Sequence, residues 1–239
     1  MKPYLLGIDI GTSACKVAVF EKSGTVVAAA NGDYPVYYPK EGWAEQNPEE
    51  WWSAVCQAVK KVIEKAGIQP EEIAGIGIDG QSWSAIAMDK DGNVLTNTPI
   101  WMDTRAQSIC DRLNEEIGAD KIFEVSGNSL QPSYTTAKIL WYKENLPEVY
   151  AKIDKILQSN SYIAYKLTGV MTQDLSQGYG LHCFDMRTGT WNEEMCQEFG
   201  FSSELLPEIH ACHEVIGEVN EKAAKESGLA EGTPVVAGG

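Results

Sequence analysis

The chain has 239 residues, a formal net charge of −15 from 34 acidic and 19 basic side chains, and an apolar content of 44%. It is long enough for one large domain or two small ones, and its acidic balance disfavours nucleic acid, whose binding needs a basic surface. No run of about 18 apolar residues exists, and the N-terminus lacks the basic and apolar regions of a signal peptide. We therefore expect a cytoplasmic protein that binds neither nucleic acid nor membranes.

The first predicted elements are two strands joined by a short polar turn. Leu5 to Ile10 and Val17 to Phe20 are rich in aliphatic and β-branched residues, which are typical of strands. The four residues Gly11 to Ala14 can reverse the chain, so the two strands should pair as a hairpin. A third antiparallel strand is expected at Thr25 to Ala30, after a turn at Ser23 and Gly24.

The turn of this hairpin has the residue types of a phosphate-binding loop. Gly11 lets the backbone approach an anion closely, successive N–H groups can surround it, and Thr12 and Ser13 add hydroxyl donors. Lys16 supplies a positive charge, whereas Asp9 would repel a bare phosphate and is better suited to holding hydrated Mg²⁺. The same residue types are also common in a solvated hairpin tip, so the pattern leaves both interpretations open.

A long helix and a buried strand follow in the chain. Asn47 is a suitable cap, and Pro48 a suitable first residue, for a helix that should run to Ala66. Gly67 is expected to end this helix. Ile73 to Asp79 alternates between isoleucine and small residues, which predicts a buried strand.

Three segments match other site motifs only in part. Gly75 to Gly80 has GxGxxG spacing, but its glycines lie inside the predicted strand, which favours close helix packing over the dinucleotide site of a dehydrogenase. Gly80 to Ser84 lacks the final glycine of a nucleophile elbow, which disfavours a serine hydrolase. His210, Cys212 and His213 are too close together to complete one tetrahedral zinc site, and six cysteines without a CxxC pair are typical of free thiols.

The segment Ile100 to Arg105 carries a candidate site at the start of a predicted helix. Asp103 has two interpretations there: it caps the helix, or it binds sugar hydroxyls together with Trp101 at a sheet edge. The rest of the chain is predicted to be mostly helical. Strands are expected at Val215 to Val219 and after Gly232.

As a set, these segments resemble the FGGY carbohydrate kinases, and xylulokinases in particular. Asp9 to Ser13 with Lys16 is similar to the first phosphate hairpin of the sugar kinase, hexokinase and actin superfamily. Gly42 to Trp52, which reads GWAEQNPEEWW, narrows the resemblance to the FGGY family. Further segments match in the family's order across the chain, at Gly77–Gln81, Ile100–Arg105, Phe184–Trp191 and Gly232–Gly239.

The resemblance implies an α/β fold with a ribonuclease H-like core, in which helices flank a mixed five-stranded sheet. Residues 1–239 would form the N-terminal, sugar-binding domain, and a nucleotide-binding domain would follow outside this chain. The full-length enzyme would use ATP and Mg²⁺ to phosphorylate a small sugar. In the family the general base is an Asp that follows an Ala-Gly-Gly segment, so we expect it just beyond Gly239 and expect this chain alone to be inactive.

The resemblance also implies roles for individual residues. Asp9 would organise Mg²⁺ and so take part in catalysis. Thr12 and Ser13 would contact the nucleotide phosphates, with Lys16 close by. The residues that would contact the sugar are Gln81, Ser82, Trp83, Asp103 and Tyr134, with Ser133 near the last of them.

Two points limit what the resemblance implies about the substrate and the activity. Ser82 and Trp83 stand where xylulokinases usually have Met-His and glycerol kinases have Arg-Glu, which disfavours glycerol and leaves another ketose or polyol open. The alternative is a non-catalytic, actin-like or sugar-sensing regulator that binds nucleotide without chemistry. The sequence leaves the oligomeric state open, with a homodimer among the options.

Overall fold

The computed structural model describes residues 2–239, in which strands and helices alternate along the chain. The strands are β1 Tyr4–Ile10, β2 Ala14–Glu21, β3 Val26–Asp33, β4 Glu45–Gln46, β5 Ile73–Gly80, β6 Ile86–Met88, β7 Thr98–Pro99, β8 Lys155–Leu157, β9 Thr172–Asp174, β10 Phe184–Asp185, β11 Thr190–Trp191, β12 Glu208–His210, β13 Val215–Glu218 and β14 Pro234–Val236. The helices are α1 Pro48–Ala66, α2 Gln107–Leu113, α3 Ala119–Ser126, α4 Thr135–Asn145, α5 Pro147–Tyr150, α6 Ser159–Thr168, α7 Leu175–Gly178, α8 Glu193–Phe199 and α9 Glu221–Ser227. Short helical turns lie at Pro70–Glu72, Asn114–Gly118 and Ser203–Leu205.

A mixed sheet of six strands lies at the centre, in the order β13-β14-β5-β1-β2-β3. β1, β2 and β3 pair antiparallel, whereas β5 runs parallel to both β1 and β14. The predicted α/β fold with a mixed sheet flanked by helices is therefore confirmed. The expected number of five strands is wrong by one, because β13 pairs antiparallel with β14 and extends the sheet at that edge.

The predicted hairpin and the predicted long helix are both present. β1 and β2 pair from Tyr4 to Ile10, joined by the polar turn. The helix α1 has the predicted bounds because its ends are defined locally. The Asn47 side chain accepts a hydrogen bond from the Glu49 N–H at 3.0 Å, and Gly67 ends the helix in the left-handed conformation at φ 66°.

One face of the central sheet is covered by α1 and α6. Side chains of β1 alternate between the two faces, and Leu6, Ile8 and Ile10 lie in one apolar cluster with residues of both helices. α1 contacts β2 and β3, whereas α6 contacts β5 and β1. Asp9 is at an alternate position of β1 and therefore lies on the other face of the sheet.

A second apolar cluster supports the loops outside the sheet. Its buried residues include Ile109 of α2, Leu140 of α4 and Phe199 of α8. Ala85 and Ala106 belong to the same cluster, so the loops that follow β5 and β7 are packed against it. These two loops contain most of the predicted sugar-binding residues.

None of the helices in residues 2–239 combines the length and the apolar character that crossing a bilayer requires. The six cysteines are all free thiols. At the zinc motif considered above, His210 Nδ1 lies 3.1 Å from a Glu214 carboxylate oxygen, and within residues 2–239 no three His, Cys, Asp or Glu side chains are grouped to hold a metal ion.

Candidate functional site

The turn between β1 and β2 is held in shape by buried side chains. The Gly11 N–H donates to the Ala14 carbonyl at 3.1 Å and closes the turn. The Tyr34 hydroxyl donates to the Gly11 carbonyl at 2.6 Å, and the Gln46 amide donates to the Thr12 carbonyl at 2.8 Å. Because buried side chains bind the carbonyl groups of Gly11 and Thr12, the conformation of the turn is fixed without a ligand.

A carboxylate and an ammonium group lie beside this turn. Asp9 and Lys16 face each other across the hairpin, with Oδ2 and Nζ 3.2 Å apart, and their side chains are 41% and 68% exposed. Asp79 is the register partner of Asp9 on the neighbouring parallel strand β5. Mg²⁺ is usually held by one or two carboxylates together with water and phosphate oxygens, and the accessible carboxylate of Asp9 fits that requirement.

Two other segments meet the turn directly. The Trp101 indole N–H donates to the Thr12 hydroxyl at 3.1 Å, which joins the loop after β7 to the hairpin. Gln81 donates from its backbone N–H to the Ile10 carbonyl at 2.7 Å and from its side chain to Gln46 at 2.8 Å. The predicted phosphate-binding turn therefore lies next to Gln81, one of the predicted sugar-binding residues, and next to the loop after β7.

An aromatic cluster, the aromatic wall, is built around Trp83, two residues after Gln81. The rings of Trp83 and Tyr134 are stacked, with centroids 4.3 Å apart and planes inclined by 26°. Tyr179 packs edge-on against both rings, at 6.1 Å from Trp83 and 6.4 Å from Tyr134. The cluster thus brings together two predicted sugar-binding residues that are far apart in the sequence.

The backbone of Trp83 is in an unusual conformation. Among the residues described, it is the one non-glycine residue with a positive φ, at 69°. Such a conformation costs on the order of 1–3 kcal/mol and persists only where the surroundings impose it. The Trp83 N–H donates to the Gln158 side chain at 3.0 Å, whereas its indole N–H is buried without a hydrogen-bond partner. Trp83 therefore combines a strained backbone with an unused donor.

Asp103 does not have the capping position that one interpretation of its sequence gave it. The helix α2 begins at Gln107, so Asp103 does not cap it. Its carboxylate is fully buried and accepts hydrogen bonds from the Ala44 N–H and from the backbone N–H, Nε and Nη2 of Arg105. The sugar-binding role of Asp103 stays a prediction, and in this geometry it would require the ion pair with Arg105 to open.

The remaining predicted residues lie at the rim of the region. Ser13 is exposed, whereas Thr12 and Ser82 are half-buried. Three residues near the aromatic wall were missed by the sequence analysis. These are Tyr179 in the wall, Gln158, which accepts the Trp83 N–H, and the fully buried Lys138, which donates to the Trp83 carbonyl. A lysine directly before the apolar segment 139–142 of α4 is the one sequence signal that could have identified any of them.

Comparison with known proteins identifies the family of the chain. Residues 4–239 match the FGGY family of carbohydrate kinases, N-terminal domain. The xylulose kinase of Bacillus subtilis is 32% identical over 236 residues, which are 99% of this chain and 47% of that protein. The glycerol kinase of Thermococcus gammatolerans is 30% identical over 221 residues, which are 91% of this chain and 45% of that protein.

The chain also matches solved structures of kinases. The crystal structure of xylulose kinase from Rhodospirillum rubrum matches with a TM-score of 0.94 and 27% identity, over 99% of this chain and 49% of the other. Gluconate kinase from Lactobacillus acidophilus matches with a TM-score of 0.92 and 28% identity, over 98% and 47%. The chain therefore spans about half the length of the relatives it matches. Because the family match spans residues 4–239, the chain belongs to the FGGY family of carbohydrate kinases and corresponds to their N-terminal domain.

Proposed function

We propose that the full-length protein containing this chain transfers the γ-phosphoryl group of ATP to a hydroxyl of a small sugar, a ketose such as xylulose or a related polyol. The observation that supports the proposal is the hydrogen bond from the Trp101 indole to Thr12, which joins the hairpin turn to the loop that carries Asp103. Several relatives are named xylulose kinase or glycerol kinase, which supports the same reaction class. Residues 1–239 would be the sugar-binding domain, followed by a nucleotide-binding domain.

The hairpin would bind the phosphate groups of ATP. Thr12 and Ser13 would donate hydroxyl hydrogen bonds to phosphate oxygens, and Lys16 would move from Asp9 toward the phosphates. Asp9 would then be free to hold Mg²⁺, which neutralises phosphate charge when it is bound. Because Asp9 and Lys16 are both exposed, this exchange of partners costs little.

The aromatic wall would contribute the sugar side. Trp83 and Tyr134 present ring surface for the C–H groups of a sugar, while Gln81 and Ser82 offer polar groups for its hydroxyls. We also keep Asp103 as a candidate hydroxyl ligand, reached once its pair with Arg105 opens.

The two cations nearest to the wall are both engaged within the protein. Arg105 is paired with Asp103 and Glu45, and the three donors of Lys138 are bound to carbonyl groups. As long as the Asp103–Arg105 pair stays closed, neither is available to a substrate carboxylate, and we expect the site to favour a neutral sugar over an aldonate such as gluconate.

The proton of the attacking hydroxyl would be accepted by an Asp located just beyond Gly239. The Gly239 N–H donates to the Ile78 carbonyl at 3.0 Å, so a residue that follows would start beside the ends of β1 and β5. That position is next to Asp9 and Asp79. A carboxylate there would lie within reach of both the sugar and the phosphates.

The decisive experiment is a substrate panel with the full-length protein. ADP release would be measured with ATP and Mg²⁺ against ketopentoses, pentitols, glycerol and gluconate. We expect a ketose or polyol to be phosphorylated with kcat/KM at least 100-fold above the values for glycerol and gluconate. The isolated residues 1–239 should be inactive with every substrate. Absence of phosphoryl transfer by the full-length protein to all of these acceptors would overturn the proposal.

A further inference from the structure

Lys138 is a fully buried lysine whose ammonium group contacts only backbone oxygens among its hydrogen-bond partners. It lies on α4, and its Nζ donates to the carbonyl groups of Trp83 at 2.7 Å, Ile100 at 2.9 Å and Ser133 at 2.5 Å. An ammonium group has three N–H donors and no acceptor, so three carbonyl oxygens satisfy it completely.

The three carbonyl groups belong to three different loops of the candidate sugar site. Trp83 itself forms the aromatic wall. Ile100 directly precedes Trp101, whose indole binds the hairpin turn at Thr12. Ser133 directly precedes Tyr134, which stacks on Trp83. One side chain therefore connects the backbones of the three loops that carry Trp83, Trp101 and Tyr134.

We propose that Lys138 is a positioning residue for the sugar site, because its ammonium group holds the loops of Trp83, Trp101 and Tyr134 in a single arrangement. The inference rests on the proposed function to the extent that these loops contact the sugar. Lys138 does not touch the substrate itself, since it is fully buried and all of its donors are engaged.

The chemical environment of Lys138 supports a role beyond packing. Burial lowers the pKa of Lys138 to about 7, and the nearby carboxylate of Asp103 opposes that shift. A buried charge is costly, and an apolar side chain of similar length would fill the same space at no such cost. In some proteins a buried charge is retained because its hydrogen bonds select one arrangement, and we assign that role to Lys138. The positive φ of Trp83 is the kind of strained conformation that such a contact can maintain.

The test compares Lys138→Met with Lys143→Met in the full-length protein. Methionine has a similar length without the donors, and Lys143 lies on the same helix with its Nζ bound to the Gly200 carbonyl, away from the wall. We expect Lys138→Met to raise the KM for the sugar at least 10-fold and to leave the KM for ATP within 2-fold. Lys143→Met should change neither constant. Equal KM values for the sugar in Lys138→Met and wild type would overturn the inference.

Two further variants of Lys138 test the same inference. Lys138→Gln keeps two donors and should raise the KM for the sugar about 3-fold, which provides a milder variant if Lys138→Met does not fold. Lys138→Arg keeps the charge but has a planar arrangement of donors, so its KM for the sugar should lie above the wild-type value.

Near-UV circular dichroism separates this inference from the proposed function. The difference spectrum between wild type and a folded Lys138 variant should resemble the difference spectrum between wild type and Trp83→Phe, because both changes alter the signal of the Trp83 indole, the first by shifting the indole against Tyr134 and the second by removing it. If the wild-type protein phosphorylates no sugar, the proposed function fails and the spectra still decide whether Lys138 orders the wall. An unchanged spectrum would overturn the inference whatever the activity.

Discussion

The carboxylate of Asp103 and the guanidinium group of Arg105 form a bidentate ion pair inside the protein. Nε lies 2.9 Å from Oδ1 and Nη2 lies 2.7 Å from Oδ2, and the two side chains are 0% and 3% exposed. Arg105 also lies over the Trp43 ring at 3.7 Å from its centroid, and Asp103 accepts the Ala44 N–H. The pair therefore joins the loop after β7 to the segment that precedes β4.

Replacement of Asp103 should mainly affect stability. Asp103→Asn leaves the buried guanidinium group of Arg105 with less compensating charge, and breaking a buried pair in this way costs about 3 kcal/mol. Urea unfolding would measure the loss. Asp111→Asn, an exposed position on α2, is the control and should change the free energy of unfolding by less than about 0.5 kcal/mol. Full stability with a raised KM for the sugar would instead mean that Asp103 acts on the substrate.

Trp83 should be needed for sugar binding. Trp83→Phe keeps the ring on Tyr134 but removes the unpartnered donor, so stability should be unchanged or slightly higher, while the KM for the sugar rises about 10-fold. Steady-state kinetics of the full-length protein and thermal unfolding would measure the two effects.

Trp191→Phe is the matched control for this experiment. The indole N–H of Trp191 donates to the Pro207 carbonyl at 2.8 Å, so its loss should reduce stability by about 1 kcal/mol without changing the KM for the sugar. If both variants show the same kinetic change, the Trp83 donor has no special role.

Asp9 should be needed for turnover and dispensable for folding. Asp9→Asn should lower kcat by about 10²–10³-fold, because a carboxylate that organises charge at the phosphates is lost. Its exposed pair with Lys16 contributes less than about 1 kcal/mol, so unfolding should be almost unchanged. Asp91→Asn, in an exposed turn between β6 and β7, should retain wild-type kcat. Wild-type kcat in Asp9→Asn would remove Asp9 from the proposed mechanism.

His182 should make stability fall in mild acid. Its ring lies edge-on to Tyr134, and burial lowers its pKa from 6.5 to about 4. Between those values the unfolded chain binds a proton that the folded protein does not, so stability is lost as the pH falls from 6.5 to 4. At 1.36 kcal/mol per pKa unit, the loss reaches about 3 kcal/mol.

The pH dependence can be assigned by substitution. His182→Gln, followed by urea unfolding at several pH values between 4 and 7, should remove most of the slope in this range even if it lowers stability throughout. The exposed His213→Gln variant should keep the wild-type slope. A slope that survives in His182→Gln would have to originate from other groups.

Local signals in the sequence were sufficient for the hairpin, for α1 and for the family. The ends of α1 follow from Asn47 and Gly67 alone, because capping depends on neighbouring residues. A strand at β13 was expected, but its place as the sixth strand of the central sheet was not, since the pairing of β13 with β14 lies outside the five-stranded core that the resemblance implies. Sheet membership depends on contacts between distant segments, which periodicity does not contain.

The arrangement of the candidate site was less predictable. The stack of Trp83 on Tyr134 and the burial of Asp103 under Arg105 arise from tertiary contacts. Lys138 is the clearest case, because a lysine in a helix is normally solvated and nothing in the sequence specifies three carbonyl groups above it. Residue types could suggest which side chains matter, but only their packing shows which of them are free to meet a ligand.

The contacts of Lys138 with main-chain oxygens have a consequence for protein engineering. Every amino acid carries the same carbonyl group, so the residues at positions 83, 100 and 133 can be exchanged without removing the acceptors that the ammonium group uses. Libraries that vary side chains on these loops should therefore yield many folded variants with altered preference for the sugar. Insertions or deletions in the same loops would shift the carbonyl oxygens away from the ammonium group and should seldom be tolerated.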